Sequence, residues 1–223
     1  MQKLIHHAPS LGEPNAAKMG GFSLIEILIS VVVLSFGLLG AVGLQASALQ
    51  SNREARIQSS ALALARELAE MIRGNKDVAL LTASNPFHGD FSTPMTAPTP
   101  SYCLTVGNSM TTAATESPCG TGTPLEIQTR IANASMTEWL ARVEEELPGA
   151  RVVVCDDTAP YTAGGQPQWT CTAGTGATKV VKIGWTKTST NKALNGASAI
   201  ERATGASAAA PSVVLALTPG NSL

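Results

Sequence analysis

Residues 18–45 read KMGGFSLIEILISVVVLSFGLLGAVGLQ, and this stretch decides what kind of fold the chain can adopt. From Phe22 to about Leu44 the run is apolar, and its only ionisable side chain is that of Glu26. A helix needs about 20 apolar residues to cross the hydrocarbon core of a bilayer. The stretch therefore predicts a membrane-spanning helix in which one carboxylate needs an explanation.

The composition of the whole chain limits what else it can be. The 223 residues include 14% charged side chains and have a formal net charge of -1, whereas ordinary soluble domains carry roughly 25% charged residues. No cluster of lysines and arginines could form a surface for nucleic acid. The length allows a leader, one membrane helix and one domain of ordinary size, and we predict no direct binding of nucleic acid.

A helical pattern continues beyond the apolar run. Apolar residues recur there at spacings of three and four, while charged residues lie largely on the other face. These apolar residues are Ile57, Ala61, Leu64, Leu68 and Met71. We expect one amphipathic helix to continue to Arg73, because Gly74 and Asn75 supply a stop signal.

The rest of the chain predicts a second helix and several short strands. Residues 82–126 are rich in Thr, Ser, Pro and Gly and are interpreted as an extended loop region. A helix is predicted from Ser135, where Ser135 and Glu138 have the spacing of a capping box, to Pro148–Gly149. Runs rich in β-branched residues predict strands at 151–155, 169–171, 179–186 and 212–218.

These elements predict an α+β fold class. Three or four short strands separated by turns would form a small antiparallel sheet, and one face of that sheet needs an apolar cover. The nearest such cover is the second half of the long helix. We therefore expect a long N-terminal transmembrane and spine helix with a small antiparallel β-sheet head, in which Trp139, Trp169 and Trp185 lie in the core or cover the sheet.

All four cysteines follow the apolar run, which fits an oxidising compartment. They are Cys103, Cys119, Cys155 and Cys171. Three pairings are possible. The prediction favours the first with the second and the third with the fourth, because each pair brackets a Gly-, Pro- and Thr-rich segment that can turn back on itself. No CxxC or CxxH spacing occurs, so we predict no metal site and no cofactor.

The start of the apolar run carries a compound signal. Lys18 and the pair Gly20–Gly21 precede Phe22, which is followed by Ser-Leu-Ile-Glu and a membrane-length helix. This pattern resembles the class III leader junction of type IV prepilins and type II secretion pseudopilins. In that family an inner-membrane aspartyl peptidase cuts after the last glycine and methylates the new terminal residue. The resemblance implies cleavage between Gly21 and Phe22 and N-methylation of Phe22.

The same resemblance gives the intramembrane carboxylate a role. An acidic residue at the centre of a membrane helix costs on the order of 3 kcal/mol, less near an end, and usually has a partner. Cleavage would create a positive α-amino group on Phe22. In pilins the glutamate of an incoming subunit is thought to neutralise the terminal amine of its neighbour. The resemblance therefore implies that Glu26 forms an assembly salt bridge.

The predicted organisation has four parts and one membrane crossing. Basic residues before the apolar run favour a cytoplasmic N-terminus and a periplasmic head. The resemblance to prepilins implies later transfer from the inner membrane to a pilus at the cell surface. The parts are a cleaved leader at 1–21, a transmembrane and filament-core helix at 22–44, an amphipathic spine helix at 45–74, and a β-rich, disulfide-containing head at 75–223.

The head adds a second resemblance. The segments TEWLARVEEELPGARVVVC (137–155) and VVKIGW (180–185) resemble minor pilins of the PilV type, in which a Trp-containing helix ends in Leu-Pro-Gly and a later strand ends in an aliphatic-x-Trp motif. The matching positions are Trp139, Leu147, Pro148, Gly149 and Trp185.

This resemblance implies a minor pilin that helps to initiate type IV pilus assembly near the tip, with a role in attachment or twitching motility. The implied partners are prepilin peptidase, other minor pilins, the major pilin, the inner-membrane assembly platform and a tip adhesin. No Ser/His/Asp set, activated cysteine or P-loop is present in the sequence, so we predict no enzymatic activity.

Two alternatives stay open at this point. One is a minor pseudopilin of a type II secretion system, and the other is a membrane-anchored periplasmic enzyme or binding module that uses 22–44 only as an anchor. An ordinary signal peptide, cut after Ala46-Ser47-Ala48, is disfavoured. Its apolar region would be too long and Glu26 would have no explanation.

Overall fold

The computed structural model describes residues 21–97, 104–106, 109–111, 122–189, 193–205 and 208–218. The leader before Gly21 and the predicted pair Cys103 and Cys119 lie outside these ranges. The chain divides into two compact units, residues 1–49 and 50–223. Helix α1 (Leu24–Gly74) contributes residues to both.

The first unit consists, where it is described, of the N-terminal part of α1 and the three residues before it. The carbonyl of Ser23 accepts the main-chain N–H groups of Glu26 and Ile27 at 3.0 and 3.3 Å, which starts the helix. The hydroxyls of Ser30 and Ser35 donate to carbonyls one turn earlier, each at 2.7 Å. These serines are thus satisfied within the helix and tolerated in an apolar segment.

This part of α1 is long and apolar enough to cross a membrane. Its most apolar 18-residue window has a mean hydropathy of 2.6, and none of that window is buried. The helix is consistent with anchoring in a membrane.

The second unit contains the remainder of α1 and a mixed head. Its further elements are α2 (Lys76–Ala79), β1 (Gly89–Ser92), β2 (Leu104–Val106), β3 (Ser109–Thr111), α3 (Pro124–Glu146), β4 (Arg151–Asp157), β5 (Thr178–Gly184), β6 (Lys187–Thr188), a 3-10 turn (Gly196–Ala199), β7 (Ile200–Glu201) and β8 (Val213–Leu217). Strands β1, β4, β5 and β8 form a four-stranded antiparallel sheet in the order β1-β4-β5-β8. Strands β2 and β3 pair with each other, as do β6 and β7.

The core lies between the two long helices and one face of this sheet. Residues of α1, α3, β4 and β5 form one buried apolar cluster, to which α1 contributes Ala61, Leu64, Ala65, Leu68, Ala69 and Ile72. Ile57 and Met71 pack at its margin. The amphipathic face predicted from the sequence is confirmed, as are the α+β class and the antiparallel sheet. The stop is also confirmed, because α1 ends at Gly74 and the side-chain amide of Asn75 donates to the carbonyl of Met71 at 2.8 Å.

The predicted start of the second helix is wrong. Helix α3 begins at Pro124, and Ser135 lies inside it. Thr123 caps the helix: its hydroxyl accepts the N–H of Glu126 at 3.4 Å, and the Glu126 carboxylate accepts the N–H of Thr123 at 2.7 Å. Thr123-Pro124-Leu125-Glu126 has the capping-box spacing and adds a proline at the first helical position, which makes it the stronger start signal.

Two further predictions about the head are corrected. Residues 82–126 are not one loop region, because β1, β2, β3 and the start of α3 lie within them. The segment 169–171 is not a strand. In the four-stranded sheet, β4 already pairs with β1 and β5, and β5 with β4 and β8. No edge of these two strands is left for 169–171 to join, and the segment lies over the sheet instead.

Candidate processing and assembly site

The predicted cleavage junction lies in accessible, non-helical chain. Residues 21–23 have no regular secondary structure, and Leu24 is the first helical residue. Phe22 is 80% exposed, and a side chain at Gly21 would meet no atom within 4 Å. A peptidase must bind an extended chain at the bond that it cuts, and glycine resists helix there. Gly20, the other half of the pair, lies outside the described part of the chain.

Glu26 occupies the first turn of α1, with its side chain exposed. An acid at this position gains about 0.3–1 kcal/mol from the helix dipole. That gain offsets only part of the free-energy cost of a carboxylate at the centre of a bilayer, which is on the order of 3 kcal/mol. In the part of the chain that the structure describes, no lysine, arginine or histidine forms an ion pair with Glu26. A full counter-charge therefore has to come from outside these residues.

Large apolar side chains surround this carboxylate. From Phe22 to Leu49 their exposed fractions run from 46% at Val32 to 86% at Leu24. An exposed apolar surface of this extent marks contact with a membrane or with another protein. The described part of the first unit, residues 21–49, thus presents one carboxylate within an otherwise apolar surface.

The two head motifs meet in the fold. The turn after α3 contains Gly149 with φ of +59°, a conformation that favours glycine. Arg151, at the start of β4, pairs with Gly184 at the end of β5. Leu147 is fully buried and Trp185 is 2% exposed. The Leu-Pro-Gly and Ile-Gly-Trp segments, residues 147–149 and 183–185, therefore lie next to each other in the head. This contact region is called the joint below.

Two of the three tryptophans attach α3 and the head sheet to the second part of α1, and the third lies over the sheet. Trp139 on α3 is fully buried, and its indole N–H donates to the carbonyl of Leu64 at 3.1 Å. The indole N–H of Trp185 donates to the carboxylate of Glu54 at 3.2 Å. Trp169 is partly buried over the sheet, and its indole N–H donates to the carbonyl of Ala209 at 2.6 Å. All three positions agree with the structural role expected for these residues.

Cys155 and Cys171 form a disulfide, in agreement with one of the two predicted pairs. Among the described residues, these two sulfurs and an oxygen of Asp157 form the group of potential metal ligands, all within 4.8 Å of one another. The disulfide leaves neither sulfur as a thiolate, and the Asp157 carboxylate is paired with Lys182 at 2.6 Å. The group therefore does not offer the ligands that zinc binding requires.

The ion pair between Asp157 and Lys182 was not anticipated from the sequence. Burial would raise the pKa of Asp157, but hydrogen bonds from Lys182 and from the N–H groups of Thr172 and Ala159, together with the lysine charge, bring the pKa below its ordinary value. The sequence contains a signal for a buried lysine. Lys182 interrupts a run of strand-forming apolar residues, and the strand periodicity places it on the same face as Val180 and Gly184.

A family model, the prokaryotic N-terminal methylation motif, matches residues 17–42. No curated protein matches the chain, and no solved structure does. The matched residues contain the Gly-Gly-Phe junction, Glu26 and most of the apolar run. The motif is found in type IV prepilins and pseudopilins, and it supports a pilin-like or pseudopilin protein that prepilin peptidase processes. Proteins with this motif are generally structural.

Proposed function

We propose that this chain is a minor pilin of the PilV type that helps to initiate type IV pilus assembly near the tip. The observation that carries the proposal is the methylation motif at residues 17–42, whose residues from Leu24 onward form an exposed apolar helix with one carboxylate. Prepilin peptidase would cut between Gly21 and Phe22 and methylate Phe22. The four-part organisation 1–21, 22–44, 45–74 and 75–223 is part of the proposal.

In this proposal Glu26 acts during assembly. Its carboxylate lacks an ion-pair partner among the described residues, and cleavage creates an amine at the same end of the helix. An incoming subunit would place its Glu26 against the terminal amine of a neighbour in the filament. The attraction is strong there because few water molecules screen charges in an apolar assembly.

The contact between two segments of the head supports the finer assignment to the PilV type. Leu-Pro-Gly after α3 and Ile-Gly-Trp at the end of β5 are the segments that carry the resemblance, and they are adjacent in the fold. The partners would be prepilin peptidase, the inner-membrane assembly platform, other minor pilins, the major pilin and a tip adhesin. The protein would be anchored in the inner membrane with a periplasmic head and then carried into the pilus, where it contributes to attachment or twitching.

Mass spectrometry of the mature N-terminus, on protein from sheared filaments, tests this proposal. We expect N-methyl-Phe22. A variant with Gly21→Val, isolated from membranes, is the control, and it should retain Met1 because a side chain at this position would block the close approach of the peptidase to the main chain. Recovery of Met1 from the unaltered protein would indicate a bare anchor, and recovery of Leu49 would indicate an ordinary signal peptide.

A minor pseudopilin of a type II secretion system is the second candidate, because the matched motif is shared by both kinds of protein. Deletion of the gene distinguishes the two. Loss of surface pili, attachment and twitching with normal protein secretion would support the minor pilin. Normal pili with loss of secreted enzymes would support the pseudopilin.

A further inference from the structure

The loop 158–177 between β4 and β5 covers much of the sheet face opposite the helices, and Ala203 also approaches this face at Gly184. Along β5, Val181 and Ile183 belong to the core with the helices, so Val180 and Lys182 face the other way. Both are nonetheless buried, at 2% and 0% exposed. Trp169 of the loop packs on Gly184, where a β-carbon would be 2.8 Å from its ring. The loop, called the cover below, replaces solvent on this face.

Beneath the cover lies a charge that the cover itself helps to solvate. The ammonium of Lys182 donates to Asp157 Oδ2 at 2.6 Å and to the carbonyl of Thr170 at 2.7 Å, and it lies 3.5 Å from the carbonyl of Trp169. A lysine ammonium has three N–H donors. Two of its three acceptors are therefore main-chain carbonyls of the cover. Without the cover this cation would have to be hydrated, because burying a charge without partners is costly.

The disulfide holds the cover next to these carbonyls. Cys171 directly follows Trp169 and Thr170, and its partner Cys155 lies on β4 opposite Val180 of β5. Other contacts between the cover and the sheet are noncovalent: the N–H of Thr172 donates to Asp157 Oδ1 at 3.0 Å, and Arg151 lies over the Trp169 ring at 4.5 Å. Among the described residues, the disulfide is therefore the covalent cross-link that holds the carbonyls of Trp169 and Thr170 next to the sheet.

We propose that the Cys155–Cys171 disulfide is a redox latch on the cover, and that Lys182 becomes accessible when the latch is reduced. A dithiol reductant gives two electrons and two protons; the S–S bond breaks, two thiols form, and the reductant becomes a disulfide. In the reverse step a partner disulfide accepts two electrons and two protons from the thiols, and the cover closes over the lysine. This partner would be a thiol–disulfide oxidoreductase.

The size of the effect follows from the length of the closed loop. The two cysteines are 16 residues apart, and a cross-link of about this length lowers the population of the open loop on the order of 100-fold. Reduction should raise the rate at which a reagent reaches Lys182 by about that factor, because the reagent reacts only with the open state.

Pulse labelling of amines by reductive methylation, read by peptide mass spectrometry, tests the latch on the full chain in detergent micelles. The samples are the oxidised protein, the same protein treated with a phosphine reductant, and the variant Cys155→Ser/Cys171→Ser. Two lysines serve as internal controls. Lys187 has a side chain 29% exposed and should react in every sample. Lys179 is on the same strand as Lys182 and has a side chain 6% exposed, paired with Asp156.

The expected result is fast labelling of Lys182 only after reduction or in the double variant, while Lys179 stays protected. Continued protection of Lys182 in fully reduced protein would overturn the proposal, since the cover would then stay closed without the disulfide. Simultaneous labelling of Lys179 and Lys182 would also overturn it, because that result indicates general unfolding of the head and not the opening of one loop.

Discussion

The main-chain N–H of Thr186 donates to the carbonyl of Pro148 across 2.8 Å. This bond joins the turn after α3 to the residue that follows Trp185, and Trp185 in turn donates to Glu54 of α1. The turn, the sheet and the helix are thus linked through two hydrogen bonds of neighbouring residues. Substitutions at this joint should destabilise the head.

Gly149→Ala tests the joint. Gly149 has φ of +59°, and the hydroxyl of Thr186 lies where a β-carbon would be placed. The left-handed conformation alone costs an L-residue about 1–2 kcal/mol, and displacement of Thr186 adds to it. We expect the free energy of unfolding, measured by denaturant titration of the full chain in micelles, to fall by about 2 kcal/mol or more.

Gly165→Ala is the matched control for that change. Gly165 has φ of +76°, but a side chain there would meet nothing within 4 Å. It should show the conformational cost alone. An equal loss of stability in the two variants would mean that the contact with Thr186 contributes nothing.

Lys182→Met should be among the most destabilising single substitutions in the head. It leaves the fully buried carboxylate of Asp157 without its cation, and removing one member of a buried pair costs about 3–5 kcal/mol. The double variant Lys182→Met/Asp157→Asn should be more stable than Lys182→Met, because the amide oxygen still accepts from Ala159 and Thr172 without a charge. Denaturant titrations of the two variants check this order, and the opposite order would show that the pair does not act as a unit.

His88 should make the head less stable in mild acid. Burial, and next the charge of Lys179, lower the pKa of His88, with Asp156 opposing them. The unfolded chain then binds a proton more readily than the folded one. The contribution is fully present above the unfolded value of about 6.5 and is lost as the pH falls through the lower folded pKa.

Stability measured between about pH 7.5 and 5 should therefore decrease toward acid, and His88→Gln should flatten this part of the profile. His88 faces Lys179 of β5 and Asp156 of β4. Its Nε2 lies 3.5 Å from Oδ2 of Asp156. An unchanged slope in His88→Gln would assign the pH dependence to other groups.

Glu26→Ala should leave processing intact and impair incorporation into filaments. The substitution is in the helix, beyond the junction at Gly21 and Phe22, so the peptidase should still cut. Loss of the carboxylate removes its attraction to the terminal amine of a neighbouring subunit, and we expect the amount in sheared pili to fall at least about tenfold, equivalent to about 1.4 kcal/mol. Immunoblots of membrane and pilus fractions measure both steps.

Ser30→Ala is the control for this experiment. Among the described residues, the hydroxyl of Ser30 bonds to the carbonyl of Glu26 within the same helix and to no other group, so its loss should change neither processing nor incorporation. Normal incorporation of Glu26→Ala would exclude the proposed salt bridge.

Local patterns in the sequence were sufficient to predict the long helix and much of the sheet. The apolar spacing from Ile57 to Met71 and the stop at Gly74 are signals that depend only on neighbouring residues, and both were confirmed. Local patterns do not predict strand β1, because only Phe91 among its four residues is buried and no alternation marks it. The spacing of Ser135 to Glu138 is that of a capping box but occurs inside α3, so this pattern predicts a false helix start.

By itself, the sequence determined the methylation motif, the apolar helix with Glu26, and the α+β class, since a continuous apolar run and helical periodicity are properties of adjacent residues. Only the tertiary structure decided that residues 169–171 cover the sheet, that Lys182 is buried against Asp157, and that Pro148 meets Thr186. These contacts join segments far apart in the chain. They depend on which strand edges are already paired and which charges the folded chain can solvate.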